Sequence, residues 1–82
     1  MSKINPEVGM RVVWENEAAL SAPFAVLVSL CKRLHGEDEL VVEGMVETAR
    51  GWLVNLTKNG QLIYDRNGMT VTSFDWYLLR PL

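Results

Sequence analysis

Ser21-Ala22-Pro23-Phe24-Ala25-Val26-Leu27-Val28-Ser29-Leu30-Cys31-Lys32-Arg33-Leu34-His35-Gly36 begins and ends with the residue types that bound a helix. Ser21 offers a side-chain oxygen at the N-cap, and Pro23 falls in the first turn, where its missing N–H costs nothing. Lys32, Arg33 and His35 fall in the last turn, where cations complement the helix dipole. Gly36 supplies the left-handed residue that closes it. Projected at about 100° per residue, Phe24, Leu27, Val28, Leu30, Cys31, Leu34 and His35 gather into one stripe. Lys32, Ser29, Arg33 and Ala25 lie opposite, with Val26 on the margin. Read at a period of two, the same residues do not sort by polarity, although β-branched Val26 and Val28 suit a strand. The expectation is one amphipathic helix.

Toward the amino end, Met1 to Glu7 reads as a flexible tail, with Asn5-Pro6 as the turn dipeptide that starts the folded part. Val8 to Glu15 alternates as a strand, with Met10, Val12 and Trp14 on one face and Arg11, Val13 and Glu15 on the other. Asn16 to Ala22 is either a loop or one loose helical turn over Glu17-Ala18-Ala19-Leu20. Everything after Gly36 reads as antiparallel sheet. Leu40 to Thr48 sets Val42, Gly44 and Val46 against Glu43 and Glu47. Thr48-Ala49-Arg50-Gly51 is a short turn in which Gly51 can supply the positive φ of a bulged hairpin. Trp52, Val54 and Leu56 then alternate with Leu53, Asn55 and Thr57.

Asn59-Gly60 is the strongest hairpin signal in the chain, because a type I′ turn needs positive φ at both central residues. Beyond it, Leu62 and Tyr64 are assigned to the core face, which leaves Ile63 outward. Asn67-Gly68 makes a further turn. Met69, Val71 and Ser73 then alternate with Thr70 and Thr72 in a strand expected to end near Pro81. The expected architecture is α+β over residues 8–82: an antiparallel meander of about five strands, partly closed and barrel-like, with one amphipathic helix packed on it.

Composition bounds the rest. Eighty-two residues, 49% hydrophobic and 22% charged, suit one small soluble domain, since two would each be too small to sustain a core. Eight Lys+Arg against ten Asp+Glu give a formal charge of −2, so no overall basic field holds nucleic acid or an anionic membrane. The single Cys31 cannot form an intrachain disulfide, which fits a reducing, cytoplasmic compartment. The longest apolar run, Ala22 to Val28, is too short to span a bilayer. No basic region precedes an apolar stretch at the start, so no secretory signal is expected.

Candidate catalytic groups are few. Cys31 and His35, four residues apart, lie on one helix side, the spacing of a Cys–His ion pair or of two metal ligands. Both sit among Phe24, Val28 and Leu34, however, where a free Cys behaves as a small hydrophobe and a terminal His as a cap. Glu37-Asp38-Glu39 lacks the alternating oxygen ligands and central glycine of a calcium loop and reads as a solvated connection. The glycines are spaced as turn and sheet residues, not as a phosphate cradle. No catalytic residue, metal site or cofactor is assigned.

The aromatics are more informative. Trp14 and Trp52 are in phase with the apolar faces of their strands and read as core. Trp76 and Tyr77 are adjacent, so in a strand they point oppositely, and Tyr77 is the one expected outward. An Arg beside an aromatic at a sheet rim can stack a base, clamp an extended peptide or anchor an interface. Arg50 with Trp52, and Tyr77 with Arg80, fit that description.

Val8-Gly9-Met10-Arg11-Val12-Val13, Pro23-Phe24-Ala25-Val26-Leu27 and the closing Leu78-Leu79-Arg80-Pro81-Leu82 resemble the opening, middle and exit of SH3-like barrels, such as the C-terminal modules of retroelement integrases. The resemblance covers about a fifth of the chain, in mostly apolar residues. It implies nucleic-acid or peptide binding and a strand at Pro23-Phe24, where the residues themselves spell a helix. The acidic balance departs from the basic surface of the nucleic-acid binders, and no functional residue is carried over.

The leading expectation is a small non-catalytic interaction module acting through a protein partner or its own copy, as in a homodimer. With Trp52 and Val54 inward, Leu53 is forced outward, and with Ile63 and Phe74 it is expected to form an apolar outer patch. Arg50, Trp52, Leu53, Ile63, Tyr77 and Arg80 are the candidate binding residues. The second expectation is a single-stranded nucleic-acid binder using Arg50, Trp52, Tyr77 and Arg80, which the charge balance disfavours. An enzyme built on Cys31 and His35 ranks third.

Overall fold

The computed structural model describes residues 4–63 and 74–82. Among them one helix, α1 (Ala22–His35), packs on a six-stranded antiparallel sheet. The strands are β1 (Arg11–Trp14), β2 (Leu40–Thr48), β3 (Gly51–Lys58), β4 (Gln61–Leu62), β5 (Phe74–Asp75) and β6 (Leu79–Pro81). They lie in the order β4-β3-β2-β1-β6, with β5 paired to β3. The fold is α+β as expected, and the sheet does not close: β6 pairs with β1, and among the described residues it forms no strand pairing with β4 or β5.

The helix forms where its boundary residues lie, and Pro23-Phe24 is helical rather than the strand that the SH3-like resemblance implies. Ser21 is extended at the N-cap, although its side chain makes no capping bond. Gly36 closes the helix at φ 81°, and its N–H donates to the Lys32 carbonyl over 2.8 Å. Only Val28, Cys31 and His35 are buried, so the helix meets the sheet along one margin of its apolar stripe. Lys32 sits on the flank beside that line and pairs with Glu17 in a short 3-10 turn (Glu17–Ala19). This roll leaves Leu27 and Leu34 partly in solvent. The turn over Glu17–Ala19 is the helical alternative for that segment, capped by Asn16, whose side chain accepts from the Ala18 N–H over 2.9 Å.

Val12 and Trp14 alternate with exposed Arg11 and half-buried Val13, as the pattern of β1 requires. In β2 the alternation breaks. A bulge at Glu43, between Val42↔Leu56 and Gly44↔Asn55, shifts the register by one residue. Met45, not Val46, then lies opposite inward Val54, because one extra residue in a strand flips every later side chain to the other face. Val46 is accordingly 53% exposed, which corrects its placement with Val42. Gly51 takes a positive φ of 117°, and the irregularity of this hairpin lies at Glu43, not at the turn.

The Asn59-Gly60 turn forms with both residues at positive φ. It pairs Lys58 with Gln61 and Thr57 with Leu62, and the Ile63 N–H donates to the Leu56 carbonyl over 3.1 Å. Leu62 therefore shares the face of Thr57, and Ile63 shares that of Leu56. Ile63 is 3% exposed and Leu62 43%, the reverse of the expected assignment. The expectations for Tyr64, Asn67-Gly68 and Met69–Ser73 lie outside the described residues.

The last strand is not continuous. Phe74–Asp75 pairs with β3, a 3-10 turn over Trp76–Leu78 follows, and Leu79–Pro81 pairs with β1. The turn carries the chain from one side of the sheet to the other. Phe74 pairs with Val54 and shares its inward face. Its ring meets Trp14 edge-on, with centroids 5.5 Å apart and planes at 72°, so Phe74 belongs to the core and not to an outer patch. Val12, Trp14, Val28, Cys31, Leu40, Val42, Val54, Leu56, Ile63, Trp76, Leu78 and Leu79 share that core. At the amino end, Pro6 is fully buried and the Ile4 carbonyl accepts from the Trp76 indole N–H over 2.8 Å.

Candidate functional site

Three of the residues singled out in the sequence converge on one open groove of about 730 Å³. Trp52 enters from the first turn of β3, Tyr77 from the 3-10 turn before β6, and Arg80 from β6 itself; Glu15, Leu20 and Trp76 line it with them. The convergence follows from topology. β3 and β6 lie at separate places in the sheet, and the Trp76–Leu78 turn spans between them. Within that turn Trp76 is buried and Tyr77 is 59% exposed, so the outward assignment of Tyr77 holds although the backbone there is not a strand. Trp52 is half-buried, packed on the core with part of its ring facing the groove.

The remaining candidates are elsewhere. Arg50 is exposed in the β2–β3 turn, where its N–H donates to the Thr48 hydroxyl over 3.2 Å, and it does not line the groove. Leu53 lies on the opposite face of β3, half-buried between Val46 and Asp75. Ile63 is in the core. With Ile63 and Phe74 both inward, the expected outer patch reduces to Leu53 beside Val46.

A second, more polar hollow of about 480 Å³ adjoins Arg80 and is lined by Trp14, Asn16, Glu17, Lys32 and Glu37. The Trp14 indole N–H is buried and finds no hydrogen-bond partner among the described residues. Lys32 is neutralised by Glu17 and, at 3.7 Å, by Glu37. Its ammonium holds the Glu17 carboxyl below the ordinary carboxylate range, helped by the Glu17 backbone N–H.

Each acid after the helix meets a different base: Glu37 with Lys32, Asp38 with Lys58 at 3.8 Å and Glu39 with Arg11 at 3.5 Å. The run ties the helix–strand connection to three elements. Among the described residues no group of three His, Cys, Asp or Glu side chains could hold a metal ion. Cys31 is buried, and desolvation pushes its thiol up to about 11. Neither Cys31 nor His35 lines the groove.

Sequence reasoning passed over Trp76, Glu15 and Leu20 as site residues. Trp76 could have been found, since Trp76-Tyr77 is a pair of large aromatics separated from Arg80 by only two residues. Glu15 and Leu20 have no signal of their own and join only through the fold. No helix among the described residues is long and apolar enough to cross a membrane. Compared with protein-family models, with curated proteins and with solved structures, the chain matches none.

Proposed function

We propose that this protein is a non-catalytic interaction module that captures an extended segment of a partner protein in the Trp52–Tyr77–Arg80 groove. The observation that carries the reading is the convergence of Trp52 with Tyr77 and Arg80, the first and last of them 28 positions apart in the chain, on a single open concavity. Aromatic rings supply large contact area at low entropic cost, and Arg supplies directional hydrogen bonds to carbonyls or carboxylates. Glu15 beside Arg80 gives the groove both signs of charge, which suits a peptide better than a phosphate backbone. Burial, which raises the Cys31 thiol to about 11, argues against Cys31 as a nucleophile at neutral pH. A cytoplasmic location goes with this proposal, since a free thiol persists in a reducing compartment.

Selection of a phage-displayed random dodecapeptide library on the immobilised protein tests this. Selected peptides should shift the tryptophan fluorescence and lose at least about tenfold in affinity to Tyr77→Ala and to Arg80→Ala, the usual scale for an interface anchor. Peptides that bind both variants as tightly as the parent protein overturn the groove as the site. Salt-dependent binding of a mixed single-stranded oligonucleotide, lost in the same variants, favours the nucleic-acid reading instead. Light scattering across a concentration series decides whether the partner is a second copy.

A further inference from the structure

Beyond Val42, strand β2 has no neighbour on one side among the described residues. β1 reaches it only through Arg11↔Val41 and Val12↔Leu40, prolonged by Gly9 N–H to the Val42 carbonyl at 2.8 Å and Val42 N–H to the Met10 carbonyl at 2.9 Å. The bulge at Glu43 follows at once. From Gly44 to Thr48 the strand pairs with β3 alone among the described residues. Alternate residues of such an edge direct their N–H and C=O away from the sheet, where water or another extended chain satisfies them. Met45 is 43% and Val46 53% exposed, and as strand neighbours they project to opposite faces. Glu43 and Glu47 are exposed too, with no ion-pair partner among the described residues.

We propose that this edge is a second binding surface and that its occupant is an extended segment of another protein in which basic and apolar residues alternate. Charge selects that occupant over a second copy. Two-fold antiparallel pairing must set one residue opposite its own twin. Centred on Met45, the pairing places Glu47 opposite Glu43 of the other copy. Centred on Glu47, it opposes the two Glu47 side chains directly. Centred on Val46, it leaves them diagonal neighbours on one face. Like charges directly opposite in a sheet are destabilising, and diagonal positions remain within reach of long side chains. An incoming strand with Lys or Arg opposite Glu47 turns the repulsion into attraction, and its alternate apolar residue then covers Val46. None of Gly44 to Thr48 lines the aromatic groove, although Glu47 and Thr48 pair across the sheet with Trp52 and Gly51, which do, so the two surfaces are adjacent but share no residue.

The probes are two acetylated, amidated hexapeptides, Lys-Val-Lys-Val-Lys-Val and Glu-Val-Glu-Val-Glu-Val, titrated into the isotope-labelled full chain with amide exchange as the readout. The basic peptide should slow exchange within Met45–Thr48 and the acidic one should not. The E43Q/E47Q double variant should bind the basic peptide about fivefold more weakly, the range set by two exposed ion pairs. Tyr77→Ala should bind it unchanged, which separates this surface from the groove. Equal protection by both peptides, protection only elsewhere, no protection, or a peptide-free dimer already occupying this edge overturns the proposal.

Discussion

The ammonium of Lys58, at the end of β3, donates a hydrogen bond to the main-chain carbonyl of His35, the last residue of the helix. That carbonyl is one of the final helical acceptors left without an intrahelical donor, and a cation there also meets the negative end of the helix dipole. A Cβ at Gly36 would lie 3.3 Å from the same nitrogen, so the left-handed glycine both closes the helix and leaves room for the contact. Lys58→Met should lower stability by about 1 kcal/mol. Asp38→Asn, which removes only the exposed partner of Lys58 at 3.8 Å, should change it by less than about 0.5 kcal/mol. Urea denaturation of the two variants compares them, and equal losses contradict a capping role for Lys58.

The β3–β4 register makes a sharp prediction about two adjacent apolar residues. Ile63→Ala deletes a core side chain and should cost about 2–4 kcal/mol. Leu62→Ala, at a position 43% exposed, should cost less than about 1 kcal/mol. Thermal or denaturant unfolding settles it, since the opposite register reverses the order.

Burial makes Cys31 a poor nucleophile. Raising its value from 9.0 to about 11 lowers the thiolate fraction at pH 8 about a hundredfold. Ellman's reagent should therefore label the native protein at least that much more slowly than the denatured chain. The sign of the linkage follows from the same values. The folded state holds the thiol proton more tightly, so this term is neutral below pH 9 and removes stability as pH rises from about 9 to about 11. Cys31→Ala should flatten that part of the stability profile, whereas a rapid native reaction at pH 8 contradicts the burial.

Glu17 has the opposite sign. Lys32 holds its carboxyl below the ordinary value of 4.5, so the ion pair stabilises fully above that pH and is lost as pH falls through the lowered value. Acid unfolding of Glu17→Gln should show less pH dependence below about 4.5 than the parent protein. A superimposable acid limb would remove the pair from any account of stability.

Trp76 ties the amino-terminal segment to the fold through its indole N–H. Trp76→Phe should cost about 1 kcal/mol for the lost hydrogen bond and raise protease sensitivity near Asn5. Unchanged cleavage there means that buried Pro6 alone holds the segment.

The helix boundaries, the alternation of β1 and the Asn59-Gly60 hairpin were legible in the sequence because each rests on local chemistry: a cap, a period, a pair of residues that tolerate positive φ. The register after that hairpin was legible too. A two-residue turn sets Leu56 opposite Ile63, so assigning Leu62 inward contradicts the turn itself. The bulge at Glu43 is different, since no residue there demands one and only pairing with β3 on one side and β1 on the other reveals the slip. The break over Trp76–Leu78 is decided in the same way, by where β3 and β1 leave room for partners.

The candidate site divides along this line. Trp52, Tyr77 and Arg80 were visible individually, as aromatic and cationic residues at strand ends. Their meeting in one groove, the withdrawal of Ile63 and Phe74 into the core, and the exposure of Val46 belong to the tertiary structure. Local propensity sets which backbone states a segment prefers, but side-chain neighbours far apart in the chain are set by strand pairing and by the one-residue shifts within it.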